Sequence, residues 1–138
     1  MIDRENTALI VIDYQDKLLT KIEVSKKIVK KTIKLIRFAK ELEIPVLLTE
    51  QYPAGLGNTF KEIASQLEGN APLEKMAFGC FGDDGFRAAL EETGKRQLLV
   101  TGVETHVCVM QTVLTALDEG FEVFVPIDAD DDYVWPSI

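Results

Sequence analysis

One histidine, one tryptophan and two cysteines among 138 residues leave little material for several common kinds of site. With His106 alone, no histidine-rich metal centre can be built, and Cys80 and Cys108 form neither a CxxC pair nor a cluster with histidine. No apolar run approaches the length needed to span a bilayer, and the N-terminus lacks a charged region followed by an apolar one. A cytoplasmic protein with free thiols is therefore expected. Positive charge is also short: 15 Lys and Arg against 23 Asp and Glu give a net charge of -8. That excludes broad attraction to nucleic acid or to anionic membranes, while leaving small anionic substrates open to the local field of a pocket.

The remaining composition, 46% hydrophobic and 28% charged, is that of an ordinary globular chain. Its length fits a single domain over residues 1–138. Thr7-Ala8-Leu9-Ile10-Val11-Ile12 is almost wholly apolar and ends at Asp13, as a strand covered on both faces would. Apolar residues then recur at helical spacing among lysines over 25–42. A second apolar run, 44–49, leads into a Pro/Gly loop at 51–57. The pattern continues with a helix over 60–67, an extended segment over 73–78, and a helix from Asp83-Asp84 closed by Gly94. A strand over 97–101, a helix over 106–118 closed by Gly120 and a strand over 121–127 complete it. Strands alternating with helices through short loops predict a three-layer α/β/α, Rossmann-like fold with a mostly parallel sheet. Residues 128–138 show no clear period.

In such a sheet the ligand site forms outside the carboxyl ends of the strands. Asp13, the 51–57 loop, Lys75 and the turn before Cys108 all fall there. Leu98-Leu99-Val100-Thr101-Gly102-Val103-Glu104-Thr105-His106-Val107-Cys108-Val109 reads as a buried strand, a glycine stop and a polar turn into a helix. Cys108 would lie in the first helical turn, where free amides and the dipole favour a thiolate. An acyl-transfer site needs a nucleophile, a proton manager, a positive charge and oxyanion donors. Cys108, Asp13, Lys75 and the amides of Glu104 and Cys108 fill those roles in that order.

Each residue also has a plainer reading. A single cysteine at a helix start is commonly a small buried hydrophobe, and that reading is kept for Cys80. Asp13 alone could cap a helix or turn, and Lys75 alone would be a solvated lysine. His106 and Cys108 lack the companions a metal pair needs. Tyr14, Tyr52 and Phe81 are candidates for pocket walls or for ordinary packing. Gly55-Leu56-Gly57 is too short for a dinucleotide fingerprint.

Four motifs in order carry a family resemblance: Val11-Ile12-Asp13-Tyr14-Gln15, Thr49-Glu50-Gln51-Tyr52-Pro53, Lys75 before Phe78 and Phe81, and Thr101 through Val109. Together they resemble the isochorismatase-like cysteine hydrolases, in the subgroup that carries the Thr-Glu-Gln-Tyr-Pro loop. The resemblance implies an Asp13–Lys75–Cys108 triad and a non-proline cis peptide between Val103 and Glu104 shaping the oxyanion turn. It also implies hydrolysis of a small-molecule amide-like C–N bond through a thioester, with no cofactor. Substrate selectivity would lie in loops containing Tyr14, Gln15, Gln51, Tyr52, Phe81 and His106. The nicotinamidase branch holds a metal through Asp-x-His after the second strand; this chain has Gln51-Tyr52-Pro53 there, so no metal is expected. Relatives continue past the 128–129 region through a Ser/Arg loop, a helix and a strand, whereas this chain meets Asp130-Asp131-Asp132. The expectation is a sheet one strand short, its edge exposed or covered by a partner subunit in a homo-oligomer. Two readings stay open beside the enzymatic one: an impaired family member acting as an oligomeric interaction protein, and a thiol sensor pairing Cys108 with Cys80.

Overall fold

Every residue of β1, Thr7–Ile12, is buried, as its unbroken apolar pattern requires of a strand sandwiched between helical layers. The computed structural model describes residues 2–19, 25–103 and 105–126. The expectations for residues 128–138, for Glu104 with its cis peptide, and for the His106 side chain lie outside the described residues. The chain continues through a short helix α1 (Asp16–Leu19), the long α2 (Ser25–Glu41) and β2 (Val46–Gln51). Two short helices, α3 (Pro53–Leu56) and α4 (Lys61–Ala64), precede the edge strand β3 (Leu73–Lys75). Then come α5 (Asp84–Thr93), β4 (Gln97–Gly102), α6 (Met110–Asp118) and β5 (Glu122–Phe124).

The five strands are all parallel, in the order β3-β2-β1-β4-β5. Alternation along β1 divides the core. Ala8, Ile10 and Ile12 face Phe86 and Leu90 of α5 and Val113 and Ala116 of α6; Leu9 and Val11 face Val29, Ile36 and Ala39 of α2. This is the three-layer α/β/α arrangement expected from the sequence. Capping agrees with it: Asp83 accepts a hydrogen bond from the Phe86 N–H at 2.9 Å, and Gly94 closes α5 with φ of 68°.

Several boundaries differ from the sequence reading. β2 runs 46–51 rather than 44–49, so Glu50 and Gln51 belong to the strand, and β5 is Glu122–Phe124 where the sequence predicts a strand over 121–127. The extended segment ends at Lys75, and the last helix is preceded by a π-helical turn, Thr105–Val109. Among the described residues no helix is long and apolar enough to cross a membrane.

From β1 the chain builds outward through β2 to β3, then returns to place β4 on the other side of β1. The carboxyl ends of β1 and β4 therefore flank the point where strand order reverses, the place where open α/β sheets bind ligands.

Candidate active site

Four strand ends supply the site. Asp13 leaves β1 with φ of 57°, a left-handed conformation that turns the chain immediately after the strand. Its backbone N–H donates to the Thr49 carbonyl of β2 at 3.2 Å, and its carbonyl accepts from the Gln15 N–H at 2.8 Å. The carboxylate is fully buried yet well partnered. The Thr49 hydroxyl donates to Oδ1 at 2.8 Å and the Lys75 ammonium donates to Oδ2 at 2.9 Å.

Lys75, the last residue of β3, is 2% exposed. A charge at such depth requires partners. Beyond Asp13 its Nζ donates to Gln51 Oε1 at 2.8 Å and to the Phe78 carbonyl at 2.7 Å, with a longer contact to the Ala77 carbonyl at 3.3 Å. The three ammonium protons are thus matched by a carboxylate, a carboxamide and a peptide oxygen.

The third member approaches from β4. Gly102 pairs with Ile12, and a Cβ at Gly102 would lie 2.5 Å from the Ile12 Cβ and 2.7 Å from its carbonyl oxygen. Only glycine lets the strands close here. Val103 N–H then donates to the Ile12 carbonyl at 3.0 Å, and the chain enters the π-helical turn that carries Cys108. Cys108 is 5% exposed, and its thiol lies close enough to Asp13 and Lys75 to feel both charges. The Thr112 hydroxyl ties this turn to the 80–82 segment, accepting from the Cys80 N–H at 2.9 Å and donating to the Cys108 carbonyl at 2.7 Å.

A resting thiolate at Cys108, expected from a helix start, is not what this environment favours. Burial pushes the thiol up to about 12; the Asp13 charge and hydrogen bond push the same way, and Lys75 only partly offsets them. The group is a thiol at neutral pH with a carboxylate beside it. Cys80 is buried in the same apolar cluster, where desolvation pushes it up to about 11, consistent with the packing role.

The candidate pocket residues separate. Gln51 is buried with its amide turned inward, on Lys75 and on the Met76 carbonyl (2.8 Å). Gln15 is fully buried and spends its side chain on the backbone of Gln51 and Gly57. Tyr14 is no pocket wall: its hydroxyl sits between Thr101 (2.7 Å) and Thr32 (2.8 Å) under α2. Phe81 also belongs to the core, with ring centroids 5.4 Å from Phe86 and 5.7 Å from Phe121. Tyr52 alone of these is exposed, at the rim of a cavity of about 390 Å³ that Pro53, Glu74, Lys75, Met76 and Asp83 also line. Among the described residues, no group of three or more His, Cys, Asp or Glu is placed to hold a metal ion.

Thr49 and Glu50 entered the sequence reading only as members of the Thr-Glu-Gln-Tyr-Pro motif, with no role of their own. The signal was there: a hydroxyl and a carboxylate within an otherwise apolar strand need partners, and Glu50 finds them in the Thr59 N–H (2.7 Å) and hydroxyl (2.6 Å).

Comparison with known proteins agrees with the sequence resemblance. The model of the isochorismatase domain matches residues 7–133. The chain belongs to the isochorismatase family. Among the family's curated members, isochorismatase domain-containing protein 2 of Pongo abelii is 37% identical over 125 residues, covering 90% of this chain and 59% of its own length. The structure of MAR1 ribonuclease from Caenorhabditis elegans superposes with a TM-score of 0.82 at 34% identity, covering 90% of this chain and 64% of that one. The YCAC gene product of Escherichia coli, described as an octameric hydrolase of unknown specificity, superposes with a TM-score of 0.82 at 30% identity, covering 90% and 63%. This isochorismatase-family chain thus spans about six-tenths of the length of the relatives it matches.

Proposed function

We propose that this chain is a cysteine hydrolase that cleaves a small-molecule amide-like C–N bond with an Asp13–Lys75–Cys108 triad and no metal. The observation that carries the proposal is the buried Lys75–Asp13 ion pair, 2.9 Å long with side chains 1% and 0% exposed, set beside the Cys108 thiol. An ion pair so completely desolvated at the switch point of the sheet is costly to maintain, and catalytic need accounts for it.

In the proposed cycle Asp13 takes the thiol proton as Cys108 Sγ attacks the substrate carbonyl carbon. The carbonyl π electrons move to oxygen, and the turn amides of Glu104 and Cys108 stabilise the oxyanion, the Val103 N–H being taken by the Ile12 carbonyl. Collapse breaks the C–N bond, and the leaving nitrogen takes the proton from Asp13. Water then attacks the thioester, giving its proton to Asp13; collapse releases the carboxylic acid, and Asp13 returns the proton to Cys108. Lys75 holds a fixed positive charge beside whichever group is anionic at each stage. A thiol held near pKa 12 fits base-assisted attack better than a preformed thiolate.

Ribonuclease activity, suggested by the name of the C. elegans relative, fits less well. The chain carries a net charge of -8, and Lys75 is already committed to Asp13. Self-association is also proposed, on the octameric E. coli relative and on Met110, Leu114 and Leu117, which leave one face of α6 apolar and exposed. Light scattering that gives a monomer would overturn it.

The test is a panel of small amides, N-carbamoyl compounds and a short RNA, assayed with the parent chain and with Cys108→Ala. Amide turnover lost in the variant is expected. Turnover that survives Cys108→Ala would reject the mechanism. If instead iodoacetamide labels Cys108 no faster than Cys80, the oligomeric interaction protein becomes the better reading.

A further inference from the structure

We propose that Gln51 is a positioning residue for Lys75 and acts on the reaction only through it; this rests on the triad reading above. The sequence placed Gln51 in the substrate loop, but the residue is 6% exposed and both ends of its side-chain amide are occupied. Oε1 accepts from the Lys75 ammonium at 2.8 Å, while Nε2 donates to the Met76 carbonyl at 2.8 Å, one residue beyond that lysine. One amide therefore grips both the charged head of Lys75 and the backbone beside it.

Gln51 is itself fixed from behind. Gln15, fully buried, accepts from the Gln51 N–H at 2.7 Å and donates to its carbonyl at 2.9 Å, leaving the end of β2 no freedom to tilt. The register of the sheet adds to this, since Gln51 pairs with Lys75 across the β2–β3 ladder. Two glutamines in series thus hold the ammonium against the sheet.

The consequence lies in proton counting. The ammonium has three N–H groups, and Gln51 and the Phe78 carbonyl take two. One remains for Asp13 Oδ2. Without the Gln51 acceptor, a second N–H turns to the nearest anion, Asp13. A doubly engaged Asp13 is a weaker base toward the Cys108 thiol. Gln51 therefore sets how much of the lysine's charge the carboxylate feels, without touching the substrate.

The experiment is a double-variant cycle with iodoacetamide as probe, following Cys108 labelling by mass spectrometry in the parent, Gln51→Met, Lys75→Met and the pair, each shown folded by its melting curve. Gln51→Met is expected to slow labelling about tenfold, the scale of one hydrogen bond to a charged group. In the Lys75→Met background the same substitution should change the rate by less than about twofold. If Lys75→Met does not fold, Lys75→Gln supplies the background, and Gln51→Asn replaces Gln51→Met on the same terms. Equal slowing with and without Lys75 would show that Gln51 acts by another route and overturn the proposal, as would an unchanged rate in Gln51→Met. If removing Lys75 itself leaves labelling unchanged, it is the triad reading that fails.

Discussion

Removing Lys75 is the sharpest perturbation, because the ion pair it forms sits at 1% and 0% side-chain exposure. Lys75→Met leaves the Asp13 carboxylate buried with the Thr49 hydroxyl as its one remaining strong donor. Breaking one partner of such a pair costs about 3–5 kcal/mol, since the surviving charge has neither solvent nor counter-charge. For a domain of this size that is a fall in melting temperature of about 10 °C or more. Replacing both partners, as Asp13→Asn with Lys75→Met, removes both charges and should return about 2 kcal/mol relative to the sum of the single losses. Denaturant unfolding of the four proteins closes the cycle. The exposed pair between Arg87 and Glu119, at 42% and 37% side-chain exposure, is the internal control, and Glu119→Ala should barely move the midpoint. If Lys75→Met proves as mild as Glu119→Ala, the charges are solvated and the physical basis of the triad is lost.

Three further outcomes follow from the geometry. Both thiols have pKa values raised by burial, to about 11 for Cys80 and about 12 for Cys108, so the folded state keeps protons that the unfolded chain loses near pH 8.5. This contribution is intact below pH 8.5 and lost as pH rises through 11 to 12, so melting temperatures under reducing conditions should fall above about pH 9, less steeply in Cys80→Ala. Gly102→Ala drives a methyl into the backbone of Ile12 and should cost about 1–3 kcal/mol while slowing Cys108 labelling; an unchanged melting curve would contradict the close approach. Glu50→Ala strands the Thr59 N–H and hydroxyl, and about 2 kcal/mol of stability should go with faster proteolysis within residues 52–60; cleavage at the parent rate would show that Glu50 does not hold this loop.

The layered architecture was legible because its signals are local. β1 is apolar at every position after Thr7, α5 announces itself with Asp83 and stops at Gly94, and the lysine-laced period of α2 continues for four turns. The missed end of β2 has a clear cause. Glu50 and Gln51 look like loop residues in a one-dimensional reading, yet their polar groups are satisfied by Thr59 and Lys75. Where long-range hydrogen bonds replace water, polarity stops marking a strand's end. Asp13 and Lys75 could be named as partners, but no spacing indicates that Gln51 turns inward while Tyr52 turns out. The π-helical turn at Thr105–Val109 is likewise invisible to a search for 3.6-residue periods. The thiol's high pKa was missed for a related reason: the dipole of a helix is readable from sequence, whereas the burial that outweighs it is not.

The three charged and sulfur-bearing groups come from residues 13, 75 and 108, and the lysine hangs from a three-residue strand at the margin of the sheet. Until that short margin has docked, the carboxylate has no counter-ion and the sulfur no electrostatic frame. The counter-ion of Asp13 therefore hangs on one of the two three-residue edge strands among the described residues. A partly opened copy exposes an ordinary cysteine with neither charge beside it, so the electrostatic setting of the thiol and the closure of this edge come together.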